Sequence, residues 1–367
     1  MKLLIANLGS TSFKYRLFEM STETQLAQGG IDRIGDKISD CFVEIDGVRN
    51  ESQAVVEDHS VAVQKCLDQL TDPNKGCLKS AAEVSGIGFK AVHGGSYSGV
   101  QLVTPDVLNE MESMAQAAPA HNPPYVSAMR LLGKQFPDLP MVAAFETGFH
   151  QTIADAQRYY AAPRRWADQF QVKKWGFHGA SHRFIGERMQ QLLSAEQPRV
   201  ISCHLGGSSS LCAMRDGVSV ANTLGMSPQT GIPHNNRVGD FDPFALPIVM
   251  RETGQSLDEV LDDLANQSGL LGLSGISGDC RDLEEAADAG NQDAKLALDV
   301  FVAEIRRHLG GLLLQLGGAE AIVFTGGIGE NGTAIRAAVC ESLSELGIQL
   351  DAERNQSVDN EALVSTD

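Results

Sequence analysis

Short apolar runs that break into turns of small residues recur along this chain. Lys2 to Ala6 reads as an apolar strand and Asn7-Leu8-Gly9-Ser10-Thr11-Ser12 as a polar turn; Phe13 to Phe18 alternates as a half-buried returning strand. Val200 to Cys203 reads as a buried strand entering His204-Leu205-Gly206-Gly207-Ser208-Ser209-Ser210, with a second strand running to Met214. Both hairpins follow the order strand, x-Leu-Gly-small-Ser, strand. The pattern predicts a duplication at domain scale, one hairpin opening each half, with two turns able to face each other across a cleft.

Residues 22 to 50 look like further strands and turns and carry no legible motif. Ser52 to Leu70 has helical periodicity, and Val84 to Val92 is a strand running into His93-Gly94-Gly95. Thr104-Pro105 opens a helix through Ala117, with proline in its first turn. Ala118 to Pro124 must be extended or turned. A helix from Tyr125 to Gln135 and a strand from Met141 to Phe145 follow, the strand ending in Glu146-Thr147-Gly148-Phe149-His150. Val172 to Phe177 leads into His178-Gly179-Ala180-Ser181-His182 and a helix to Leu193. After Pro243 the pattern is mainly helical to about Gly269, and Leu273 to Asp282 is a turn before a helix. A long helix covers Ala294 to Leu316, and a strand from Ala321 to Phe324 enters Thr325-Gly326-Gly327-Ile328-Gly329-Glu330-Asn331-Gly332.

A chain of 367 residues exceeds one ordinary core, so two domains are expected. The net charge of −18 argues against nucleic acid or an anionic membrane as a partner. A phosphate-bearing substrate would therefore need local cations or a metal. No run approaches the roughly 20 apolar residues that span a bilayer, and the N-terminus lacks the pattern of a signal peptide. Seven cysteines without a Cys-x-x-Cys pair read as reduced thiols, which places the protein in the cytoplasm.

The turns carry the candidate chemistry. Glycines let backbone N–H groups approach an anion, and serines add hydroxyl donors. Arg237, followed by Asp240 and Asp242, is placed to grip a carboxylate or phosphoryl group; a surface arginine is the plain alternative. Lys90 lies near the end of its strand, where ligands of α/β folds gather, although a solvated lysine is the commoner fate. Glu146 ends a strand. His178 and His182 stand four apart, but without an intervening Glu zinc is not expected. Gly327, Gly329 and Gly332 satisfy G-x-G-x-x-G, yet no complete strand–helix–strand unit follows, which argues against NAD.

Two Ser/Gly hairpins plus a late strand–GGxGxN–helix turn resemble the acetate and sugar kinase, Hsc70 and actin superfamily. Finer motifs resemble the acetate kinase (acetokinase) family: Asn7 to Lys14, Val92-His93-Gly94-Gly95, Pro119 to Pro124, Phe149-His150-Gln151-Thr152, Gly176 to His182, His204-Leu205-Gly206, Arg237-Val238-Gly239-Asp240 and Phe324 to Asn331. The resemblance implies an α/β fold of two duplicated actin-like (ribonuclease H-like) domains with an active-site cleft between them. The first would comprise residues 1–146 with a returning segment about 332–367, the second residues 147–331. It implies reversible transfer of the ATP γ-phosphoryl to acetate, giving acetyl phosphate and ADP, with Mg²⁺, in a homodimer. On this resemblance Asn7 is on the metal side and Lys14 in the nucleotide site. Arg237 and His178 stabilise the transferring group, and His204, Leu205, Gly206, Gly207, Ser208, Asp279, Cys280, Arg281, Gly327, Ile328, Gly329, Glu330 and Asn331 bind ATP. Val92, Phe177 and Pro228 wall the acyl pocket.

The chain departs from the family pattern at several positions. Lys90 replaces the arginine that grips substrate, Glu146 the catalytic aspartate, Cys280 an aromatic, Gly207-Ser208 an Asn-Gly pair, and Ala120 a pocket leucine. Ala120 makes propionate a rival to acetate; a butyrate kinase fits these motifs less well. The small Gly327-Ile328 pair leaves the adenosine pocket open, as in ATP users rather than pyrophosphate users. The family continues through a last strand and a P-T-x-E-E helix bearing a metal-binding glutamate, whereas this sequence ends at Asp367. A missing segment and different handling of Mg²⁺ both remain open. The alternative from another class is a non-catalytic binding homologue that kept the fold.

Overall fold

A computed structural model describes every residue except Ser10, Ala120, Asp359 and Asp367, with Gln135 described by its backbone alone. Contacts divide the chain into two units, Met1–Gly148 and Phe149–Asp367.

The first unit is built on β1 (Lys2–Leu8), β2 (Ser12–Glu19), β3 (Thr24–Asp32), β4 (Ser39–Ile45) and β5 (Val48–Ala54). These form an antiparallel meander. After α1 (His59–Leu70), β6 (Val84–Ala91) joins β1 in parallel. Then come β7 (Val100–Leu102), α2 (Pro105–Ser113), α3 (Asn122–Gln135) and β8 (Met141–Phe145). The sheet order is β5-β4-β3-β2-β1-β6-β8-β7. Alternation sends Leu4, Ala6, Leu8, Phe13, Tyr15 and Leu17 into a core with Leu67 and Met129 from the helices, and leaves Asn7 and Lys14 exposed. Helix α1 starts later than its periodicity predicts because Ser52 is already paired with Cys41 in the sheet, and Asp58 caps the helix through the N–H groups of Ser60 and Val61. Pro123 and Pro124 lie in the first turn of α3, where a missing N–H costs nothing, so the expected extended segment ends sooner.

The second unit begins with α4 (Asp155–Arg158), α5 (Arg164–Phe170) and α6 (Gly179–Leu192), followed by β9 (Arg199–His204), β10 (Ser210–Arg215) and β11 (Val218–Asn222). Helices α7 (Leu246–Thr253), α8 (Leu257–Asn266), α9 (Gly269–Ser274), α10 (Cys280–Asp288) and α11 (Gln292–Leu316) lead to β12 (Ala321–Thr325), α12 (Gly326–Asn331), α13 (Thr333–Cys340) and α14 (Ala352–Gln356). The sheet order is β11-β10-β9-β12, with β12 parallel to β9. This repeats β3-β2-β1-β6 of the first unit, so the duplication expected from the hairpins is visible as strand order. Helix α11, 25 residues and roughly 37 Å long, buries Ala294, Ala297, Phe301, Ile305, Leu309, Leu312 and Leu316 along one stripe.

The segment after Gly332 falls within the second unit: α13 packs on α11 and α14 on α13, and Ile335 and Val339 join the second core. All seven cysteines are free. No helix among the described residues is long and apolar enough to cross a membrane.

Candidate active site

In the first unit, antiparallel register sets Asn7 opposite Lys14 on the exposed face of the β1–β2 hairpin. Tyr125, buried on α3, bonds both sides of this strand end: its hydroxyl donates to Asn7 Oδ1 (3.2 Å) and accepts the Leu8 N–H (2.9 Å). Glu146 follows β8 and its side chain is 4% exposed, with Lys90 Nζ of β6 at 3.0 Å from Oε1. Neither carboxylate oxygen has a hydrogen-bond partner among the described residues, so the lysine contact is an ion pair without good bonding geometry. A buried carboxylate with vacant lone pairs calls for a cation or donor from outside the chain. Val92 is buried, and the turn after it is held by Asn122, whose amide donates to His93 O (2.8 Å) and Met111 O (2.7 Å). Ala120 lies outside the described residues.

In the second unit, distant segments converge on the β9–β10 turn. Arg237 Nη1 donates to Ser208 Oγ (3.2 Å), and His178 Nδ1 meets Ser210 Oγ at 2.8 Å. The turn closes on itself through Gly206 N–H to Ser209 Oγ (3.1 Å), and Ser209 N–H donates to His234 Nδ1 (2.8 Å). Burial lowers the Arg237 guanidinium pKa, but an arginine keeps its charge. The loop that carries Arg237 needs Gly269 at φ +62°: a Cβ there would collide with His234 O and lie 2.6 Å from Arg237 O.

His178 stands at the head of a buried relay. His182 Nε2 meets the same Ser210 Oγ at 2.8 Å, and His182 Nδ1 meets Ser202 Oγ at 3.0 Å. Burial pushes His182 well below the usual imidazole range, so it is neutral and carries one ring N–H. Ser210 has one proton to give. If His182 Nε2–H donates to Ser210, the hydroxyl donates onward to His178 Nδ1, and His178 keeps its proton on Nε2. The two histidines spaced as a metal pair are joined instead through one serine. His204 Nδ1 is 2.9 Å from Ser181 Oγ, and its ring lies 4.4 Å from that of His178.

Behind these, His150 braces Phe177. Its Nε2–H donates to Phe177 O (2.9 Å), which leaves Nδ1 to accept from Ser219 (2.8 Å). Burial lowers its pKa to about 4. Phe177 and Pro228 are both buried.

The late glycine turn is a short helix, α12, bound to the same hairpin. Leu205 N–H donates to Thr325 O (2.8 Å), and the Ile328 and Gly329 N–H groups donate to Leu205 O (2.9 and 3.1 Å). Gly326 at φ +78° permits this approach, since a Cβ would lie 2.6 Å from Leu205 O. Asn331 donates to Gly327 O (2.8 Å), while Gly327 and Glu330 are exposed. Asp279 caps α10 and is gripped by Arg281 (2.6 Å), which, with the Arg281 N–H, holds its pKa at about 2. Cys280 is packed in the second core, and burial raises its thiol to about 12.

A family model for the acetokinase family matches residues 2–367. The chain belongs to the acetokinase family. It is 40% identical to an acetate kinase of Geobacillus kaustophilus over 99% of this chain and 92% of that protein. The crystal structure of Porphyromonas gingivalis acetate kinase superposes with a TM-score of 0.88 at 33% identity, covering 100% of this chain and 93% of the other. A propionate kinase from Francisella tularensis gives 0.91 at 30% identity, with the same coverage. The fold is therefore the actin-like one, and the chain is a kinase with a carboxylate acceptor, acetate kinase being the reading best supported.

Within each unit the structure brings some of the sequence-derived residues together: Asn7 with Lys14 and Lys90 with Glu146 in one; His178, His204, Gly206, Ser208 and Arg237 in the other. Sequence reasoning missed the supports. Arg336, 2% exposed, donates to Gly329 O (2.9 Å), Glu330 O (2.7 Å) and Asn355 Oδ1 (2.7 Å), capping the α12 carbonyls. Ser202, Ser219 and His234 were equally silent, since a serine or histidine in a strand or loop carries no periodic signal.

Proposed function

We propose that this enzyme transfers the γ-phosphoryl group of ATP to acetate through the residues just described. The observation that carries the reading is the β9–β10 turn, where Arg237 and His178 are tethered two residues apart, to Ser208 and Ser210. An acetate oxygen attacks the γ-phosphorus and the bond to ADP breaks, yielding acetyl phosphate; the acceptor is already ionised at neutral pH, so no proton need move. The task left to the protein is to position donors around three equatorial oxygens. Arg237 supplies a fixed positive charge and the His178 imidazole a directed N–H. Phe177 and Pro228 exclude water from the acyl group, and Lys90 draws in its carboxylate as a point charge rather than a fork. The Leu205 to Ser208 turn and exposed α12 residues receive the nucleotide.

Asn7 and Glu146 offer hard oxygen donors, and the buried Glu146 carboxylate, ion-paired to Lys90 but without a hydrogen bond among the described residues, fits a divalent cation such as Mg²⁺. When bound, that ion would neutralise charge on the phosphates. Acyl-hydroxamate formation from ATP and acetate, measured for wild type and Arg237→Ala, tests the assignment: turnover that survives the substitution sinks it. Propionate is the second reading, favoured by Ala120 in the sequence and by likeness to a propionate kinase; the same assay ranks the acids. A cytoplasmic homodimer fits the free cysteines and an apolar patch at Phe241, Phe244 and Ile248, with Phe244 83% exposed. Phe244→Asp should then yield monomers by light scattering.

A further inference from the structure

One cavity of the second unit, about 450 Å³, is lined by none of the residues assigned to phosphoryl transfer. Its walls come from the segments around Arg158, Lys174 and Thr223 and from α11. Arg158, Lys174, Arg307 and His308 all line it, in a chain of net charge −18, and Asp240 is the one carboxylate among the lining residues.

Asp240 is already committed. Burial opposes its ionisation, but His308 (3.5 Å), the Gly231 N–H (2.8 Å) and Arg307 (3.0 Å) outweigh that and hold its pKa at about 2. It is paired with Arg307, which Glu304 also holds (2.5 Å), and leaves nothing for Arg158 and Lys174. Among the described residues neither Arg158 nor Lys174 makes an ion pair, and Arg158 Nε is buried with no acceptor. The guanidinium rests 5.5 Å from the Trp175 ring and the Lys174 ammonium 5.5 Å from that of Tyr160, so aromatic faces aim both cations without neutralising them. The Lys174 N–H donates to Arg158 O (2.7 Å), which fixes the two relative to each other.

We propose that this cavity binds a small oxyanion of two or more charges, a polycarboxylate or a phosphate monoester, held by Arg158 and Lys174 with Arg307 at its edge. A guanidinium fork and an ammonium match paired oxygens of such a group, and the space exceeds what a lone chloride needs. The site does not depend on the assignment of the catalytic residues, and it borders their loop: the Asp240 N–H donates to Gly231 O (2.8 Å), three residues past Arg237.

Isothermal titration of the full chain with propane-1,2,3-tricarboxylate, and separately with inorganic phosphate, tests the proposal. One saturable site is expected below about 10 mM, weakening with added salt. Tighter binding of the tricarboxylate assigns the site to polycarboxylates; tighter binding of phosphate assigns it to phosphate esters. Arg158→Gln and Lys174→Gln should each weaken binding roughly tenfold while kinase turnover persists. If Arg158→Gln fails to fold, Lys174→Gln carries the test alone. Arg237→Ala should keep the affinity. Binding that survives both cavity substitutions, disappears with Arg237→Ala, or is absent from wild type overturns the proposal.

Discussion

The β1–β2 and β9–β10 hairpins share a strand plan and differ in what holds their turns. In the first, Asn7 faces Lys14 across the strands, and the turn is held through Tyr125 and through His59, which donates to Gly9 O (2.8 Å). In the second, Arg237, His178 and His234 reach the turn from segments 25 or more residues away. Strand order alone therefore supplies a platform. Its chemistry comes from what the rest of the unit brings to it, and the experiments that follow probe that contrast from the largest effect down.

Arg237→Ala should reduce kcat by about a thousandfold, the scale of losing a donor aimed at developing charge. Lys14→Gln, on the other hairpin, should cost far less, because its partner is a solvated face. Steady-state kinetics on both variants would break the comparison if the losses were equal.

Arg336→Met should destabilise the second unit by about 3 kcal/mol, since the α12 carbonyls and Asn355 lose their buried donor together. Urea unfolding measures this, and hydrogen exchange should place the loosening near α12.

Acid should act on the second unit first. There burial depresses the pKa of His150 (to about 4), His182 and His234 (to about 3). The unfolded chain takes up protons near pH 6.5 that the folded unit refuses. The stability they contribute is complete above that value and is lost as pH falls towards about 4 and then 3. The loss should amount to a few kcal/mol between about pH 6.5 and 4. Exchange protection that fades equally in both units over this range would contradict the reading.

Ser210→Ala should lower kcat about tenfold with KM for both substrates unchanged, because His178 loses the partner that selects its tautomer. Ser210→Thr should restore most of the rate, and ¹⁵N shifts of His178 should report the tautomer. An unaltered His178 spectrum in the alanine variant would remove Ser210 from the relay.

Much of this was legible in the chain. The twin hairpins, the long α11 stripe and the motif residues from Asn7 to Asn331 are local signals: alternation, helical spacing and small-residue turns follow from backbone geometry over a few residues. Less legible were the boundaries at Ser52 and Asn122, where sheet pairing and a tolerated proline turn overrode periodicity. The fate of α13 was not legible either, because Ile335 and Val339 look like any apolar helix stripe until the core they fill is known.

The sequence by itself determined the duplicated strand plan and the family, since both rest on ordered local patterns. Only the tertiary structure decided that Ser210 joins two histidines, that Arg336 caps α12, that Cys280 turns into the core and that Arg158 and Lys174 share a cavity. These pairings span long separations, and a hydrogen bond or ion pair depends on distances of about 3 Å that no spacing along the chain encodes.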